Sequence, residues 1–239
     1  MTPQELDALA LSTAIAVLTV LLCFPPAVWI ASRVARRGRT GRWLVDAVLL
    51  LPVALSPAAV GWLVWLTWPA PGSPIDRTVG VPQLAPLGLL ACTCLLTLPL
   101  MIRTLRPAFE AVDHTQVLVA RTLGATRWRA WWTVTVAQTS PMMASALALG
   151  FAAAWGESGA LVVLAAALQG QESAGALAGV ATAPMTLISA LQTPGGAPVV
   201  RHMALACLGV AFVAIVVSEW AHRRWRRRAL PPESRGVAA

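Results

Sequence analysis

The chain has 239 residues, is 57% hydrophobic and only 12% charged, and carries a formal net charge of +8; its mean hydropathy is positive. A soluble domain of that make-up lacks the polar side chains to cover its own surface, so an integral membrane protein is the class that remains. All eighteen basic residues are arginine, clustered in short groups between apolar runs, a placement that fits membrane orientation rather than nucleic-acid binding.

In chain order, the N-terminus lacks the basic flank of a signal peptide, and Glu5 and Asp7 lead into a first apolar run, Leu9–Ala31, long enough to span a bilayer as a helix. The connection "RVARRGRTGR" follows, then a second run, Leu44–Trp68, with Trp62, Trp65 and Trp68 forming an interfacial belt at one end. Third and fourth runs cover Leu84–Ile102 and Pro141–Leu164. A fifth, Met203–Trp220, ends in the basic stop "AHRRWRRR". Placing the arginine-rich regions 33–42, 103–137 and the tail after Trp220 inside the cell puts sixteen of the eighteen arginines there. That parity requires five spans, an outside N-terminus and an inside C-terminus. The weakly apolar segment Ala174–Leu191, with Pro184, is then a short helix or re-entrant piece on the outer side, because a sixth span would expel "RRWRRR". The expected fold is all-α, with residues 1–228 one membrane domain and 229–239 a disordered tail.

The segment 103–137 is too long for a mere connection and too patterned for disorder. Asp113 followed by Gln116 has the form of a capping box, predicting a helix from His114. Gly124 suits the left-handed residue that ends it, and Thr126 suits the cap of a second short helix carrying Trp128, Trp131 and Trp132. Such a pair of helices either lies in the headgroups, Trp in the interface and Arg on phosphates, or docks in a groove of a cytoplasmic partner. The break at Gly124 favours docking, since a surface-lying helix has no need of it.

Other chemistry is not visible. Cys23, Cys92, Cys94 and Cys207 all fall within apolar runs and read as packing residues, the three histidines are scattered, and no phosphate-cradling glycine loop is present. No metal site and no catalytic constellation is expected.

The run "ARTLGATRWRAWWTVTV" resembles the cytoplasmic coupling loop of permease subunits of type I ABC importers. "LLPVALSPAAVGWLV", "EAVD", "GFAAAWGESGA", "LQTPGG" and "SEWAHR" extend the likeness over nearly the whole chain and make it similar to the molybdate-transport branch. Ala120, Arg121, Thr122, Leu123, Gly124 and Ala125 keep the loop pattern, and Trp128 follows in the second helix. The family's loop usually has a glutamate and two alanines before the glycine; the aligned positions here are Val117, Val119 and Ala120, so the acidic residue is absent. The loop's closing Leu-Pro is Val136-Ala137, and Ser158 stands where Phe is usual. The resemblance implies a homodimer that binds no cofactor itself. Two cytoplasmic ATP-binding subunits would carry ATP and Mg, and an extracellular or periplasmic oxyanion-binding protein would deliver the cargo. Membrane lipid surrounds the assembly, and no nucleic acid is involved.

A divalent oxyanion cannot cross hydrocarbon bare, at a Born cost on the order of tens of kcal/mol, and no arginine lies at the centre of any run. The path must therefore be wide and wet, with affinity supplied by the binding protein. Candidate path and gate residues are the breakers Pro57, Gly61, Gly156, Glu157, Ser158 and Gly159, together with Thr193, Pro194, Gly195 and Gly196. Glu157, ionisable within a span, is expected to fix a bend or lock a gate rather than touch an anion. Asp46 and Glu219 are expected to pair with Arg42 and Arg223. A secondary transporter or channel would instead show internal repeats or charged relays, and neither is found.

Overall fold

The computed structural model describes residues 2–36, 54–66, 81–160, 162–163 and 182–229, with isolated positions 47 and 51. Asp46 and Arg42, the first part of the second apolar run with Trp68, the stretch 164–181 and the tail from 230 lie outside the described residues.

The described residues are helical, with no strand among them: α1 (Pro3–Arg36), α2 (Pro57–Leu66), α3 (Val81–Glu110), α4 (His114–Thr122), α5 (Arg127–Ala130), a π-turn (Trp131–Val136), α6 (Ala137–Gly156), α7 (Ala183–Leu191) and α8 (Ala197–Ala229). Three stretches among them are long and apolar enough to cross a membrane: Pro3–Arg36, Leu87–Glu110 and Ala197–Trp225.

The small residues of α1 explain how helices pack without a hydrophobic drive between them. Ala8, Ser12, Ala16, Thr19, Cys23, Ala27 and Ala31 recur every three or four positions and are all buried, which lets backbones approach closely. Against this stripe Met101, Ile102, Leu105 and Phe109 of α3 and Ala146 of α6 complete one core. A second gathers Ala16 with Ala154 and Trp155 of α6, Ala183 of α7 and Met203 of α8. Hydroxyls add interhelical hydrogen bonds: Thr19 with Thr93 at 2.8 Å, Ser145 with Ser218 at 2.7 Å, and Trp155 Nε1 donating to Thr13 at 3.2 Å. Ser12 caps α7 from outside by accepting the Ala183 N–H at 2.7 Å. By contrast α8 buries only 11% of its most apolar window, against 39% for α1, so most of its surface is left to lipid or to another chain.

Three sequence expectations change. Residues 103–110, read as the start of the loop, continue α3 to Glu110, where Arg106 pairs with Glu110 at 2.7 Å. The second loop helix is not separate. It runs from Arg127 through the π-turn into α6 without a break until Gly156. Pro141 removes the N–H that Ala137 O would accept, and the Ser140 hydroxyl donates to that oxygen instead at 3.1 Å, so the helix continues. Finally, the fourth run does not stay helical to Leu164, because Glu157 turns extended, with ψ 122°.

Candidate functional site

The loop helix α4 has no buried residue and nine residues, too few to be stable in water alone. What holds it is capping. Asp113 Oδ1 accepts the Thr115 N–H at 2.8 Å at its start. The Thr115 N–H, with the Thr115 hydroxyl and Gln116 adding, holds the Asp113 carboxyl below the usual carboxylate range. At its end Ala125 N–H bonds to Ala120 O at 3.0 Å and Gly124 N–H to Arg121 O at 3.1 Å, with Gly124 at φ 89°. That pair of bonds is a Schellman motif, and the positive φ is why glycine stands there. Thr126 Oγ1 then accepts the Arg129 N–H at 3.2 Å and opens the next helix. One further tie, Gln138 Nε2 donating to Gln116 Oε1 at 2.6 Å, fastens α4 to the base of α6.

The result is a capped hairpin that presents apolar side chains outward. Leu123 is 83% exposed, Trp128 68%, Leu118 58% and Val119 51%. Ala120 and Ala125 are half-buried, while Arg121, Thr122 and Gly124 are exposed. Trp128, Trp131 and Trp132 form one cluster, with centroids 5.4 Å apart for the stacked pair Trp128–Trp131 and 4.9 Å for the edge-on pair Trp131–Trp132. The outward-facing Leu118, the Gln116–Gln138 tie and the wide turn escaped the sequence reading. Only Leu118 left a signal there, as an apolar residue that does not share the helical spacing of Val112, Val119 and Leu123.

The second group of candidates gathers where α2 meets the break after α6. A Cβ at Gly61 would run into the Ala160 carbonyl oxygen, and one at Gly159 would lie 2.9 Å from Pro57 Cβ. Glu157 Oε1 accepts the Ala160 N–H at 3.0 Å, so its carboxylate caps the helical piece after the break. Pro57, Gly61, Glu157 and Gly159 are thus brought together, with Gly156 exposed and Ser158 half-buried beside them. Thr193–Gly196 forms a separate group. Thr193 Oγ1 donates to Ser189 O at 2.8 Å, Gly195 has φ 89°, and a Cβ at Gly196 would strike Ala190 O. These residues form a tight turn that folds α7 back onto α8.

Glu219 pairs with Arg223 at 3.0 Å, as expected. Trp62 is exposed, in keeping with a belt. No cluster of three potential metal ligands occurs among the described residues.

The family model described as "Binding-protein-dependent transport system inner membrane component" matches residues 24–229. The chain is 31% identical over 233 residues to the molybdenum transport system permease protein ModB of Escherichia coli K12, covering 96% of this chain and 98% of the relative. It is 29% identical over 163 residues to the molybdate/tungstate transport system permease protein WtpB of Thermococcus kodakarensis, covering 68% and 62%. Among solved structures, a bacterial ABC transporter that imports the acidic polysaccharide alginate superposes with a TM-score of 0.64 at 18% identity, covering 95% of this chain and 80% of that one.

Proposed function

The chain belongs to the binding-protein-dependent transport system inner membrane components, the permease subunits of ABC importers, and from that premise we propose that it moves molybdate inward by alternating access. It is a membrane transport component; ATP is hydrolysed by a separate subunit. The cargo rests on one observation, the 31% identity over nearly the full length of a molybdenum permease. Tungstate is the second reading, supported by the molybdate/tungstate relative, and sulfate would pass through the same machinery.

In this reading two copies form the path and two ATP-binding subunits dock beneath, with the N-terminus outside and the C-terminus in the cytoplasm. Ala120–Ala125 and Trp128 seat in the ATPase, apolar side chains first. When the ATPase closes, it displaces the hairpin as a rigid body. The helix from Arg127 to Gly156, thirty residues and roughly 45 Å at 1.5 Å per residue, carries that displacement to the break capped by Glu157. There Pro57 and Gly61 of α2 pack against Gly159 and Ala160, which follow the moving end, so a shift of α6 alters the gate. The turn at Thr193–Gly196 fixes α7 beside this path. Without a deep arginine the path holds the anion weakly and releases it.

The test is Leu123→Asp. A buried carboxylate in the ATPase groove should cut transport more than ten-fold in proteoliposomes, while membrane insertion and dimer formation persist. Full transport by this variant overturns the docking assignment. Co-purification of the binding protein, followed by titration with molybdate, tungstate and sulfate, decides the anion.

A further inference from the structure

A cavity of about 880 Å³ opens between the last turns of α1, the helix α4 and the π-turn. It adjoins the strip that the coupling reading uses and shares Arg121 and Trp128 with it. Its walls are hydrocarbon-like, with Phe24 and Val28 of α1 on one side and Trp131 and Met143 on the other. Arg36 and Arg127 also line it, and none of its described lining residues is acidic. Its level along α1 is marked as well. The apolar run ends at Ala31, and Arg33 sits 5.1 Å from the Trp29 ring centroid, a ring–cation pair of the kind found where hydrocarbon gives way to headgroups.

The apolar floor of the recess, between Val28 and Trp131, offers water few polar partners, and in a bilayer the nearest apolar matter is an acyl chain. A soluble subunit approaching from below would meet the arginines first and would have to bury their charges to reach the apolar floor, at a cost. A phospholipid matches both parts at once, its phosphate the arginines and its acyl chain the apolar floor. The size is also that of a cleft for one ligand, about 300–1,000 Å³.

We propose that this groove holds one anionic phospholipid of the cytoplasmic leaflet, an acyl chain between Val28 and Trp131 and the phosphate against Arg36 and Arg127. The leaflet rests on the orientation proposed above. Seated there, the lipid wedges the coupling hairpin against α1.

The full-length chain, purified in detergent, is titrated with phosphatidylglycerol and with phosphatidylcholine while bound lipid is counted by native mass spectrometry. One phosphatidylglycerol per chain should be retained in preference to phosphatidylcholine. The double variant R36Q/R127Q should weaken retention about 25-fold, roughly five-fold for each arginine. Val28→Trp, which fills the groove and leaves the charges alone, should abolish the preference. Equal retention of the two lipids, or retention unchanged in both variants, overturns the proposal. So does displacement of the lipid by the ATPase subunit, which would hand the groove to protein docking. Outside-only labelling of a cysteine at position 128 sinks the coupling reading and the inner-leaflet assignment together, whereas unaltered lipid retention in the variants sinks the lipid alone.

Discussion

Around Gly61 the backbone of α2 lies so close to the Ala160 carbonyl that a Cβ has no room, whereas around Gly124 a Cβ meets nothing within 4 Å and only the φ of 89° excludes it. The first glycine belongs to packed interior, where helices are held by what they bury. The second belongs to a helix that buries nothing and is held by its caps. The contrast separates two kinds of specification: close approach, which depends on residues distant in sequence, and capping, which is complete within four or five neighbours. It also bears on function. On the function proposed above, the first region would be a gate, which has to be packed to be closed, and the second a coupling element, which has to stand clear of its own protein to be gripped by another.

Paired substitutions break the comparison most sharply. Gly61→Val forces α2 away from Ala160 and should cost about 1–3 kcal/mol, seen as a lower melting temperature and a poorer yield of monodisperse protein in detergent. Gly124→Ala meets open space and pays only left-handed strain, about 1–2 kcal/mol, confined to the hairpin. It should leave the melting temperature within a few degrees of wild type while weakening ATPase co-purification. Equal melting losses in both variants would erase the distinction between packed and capped regions.

A smaller effect sharpens the interior side. Ser145 and Ser218 bond only 2.7 Å apart in the packed bundle. Ser145→Ala alone should destabilise by roughly 0.6–1.7 kcal/mol, because it strands the partner hydroxyl. The double variant S145A/S218A should recover part of that loss, since neither side then keeps an unmet group. A double-mutant cycle in thermal unfolding measures the coupling, and a coupling of zero would remove the pair from the list of bundle-holding contacts.

The same contrast governs how much the sequence could disclose. Asp113, Gly124 and Thr126 were legible because a cap is a local chemical event: a short oxygen side chain faces N–H groups two or three residues on, and a left-handed turn needs glycine. Helix starts at 114 and 127 followed. The continuity of Arg127–Gly156 was not legible, because Pro141 looks like a helix start until Ser140 is seen bonding to the oxygen that the proline leaves bare. Likewise α3 outruns its apolar stretch because Leu105 and Phe109 still pack into the core with α1, the Arg106–Glu110 pair adding a little on the exposed side. Of the gate candidates, each breaker was visible by itself. That Gly61 faces Ala160, while Thr193–Gly196 serves a different turn, depends on tertiary contacts that no local window contains.

The weakest expected effect probes the capped region by pH. Because the Thr115 N–H bonds the ionised Asp113 carboxylate, that group titrates lower in the folded hairpin than in an unfolded chain, where an ordinary aspartate has a pKa of about 3.9. A depressed folded value means that the cap's contribution is complete above the unfolded value and is lost as pH falls through the folded one. Amide protection over residues 114–122, measured by hydrogen exchange, should therefore hold at pH 5 and decline at more acid pH, with the bundle helices unaffected. Asp113→Asn supplies the control. Asparagine caps helices about as well as aspartate but does not titrate, so its protection should stay flat across the same range. An equal decline in both proteins would mean that α4 is held by something other than its cap, and the reading of the hairpin as a free-standing element would have to be abandoned.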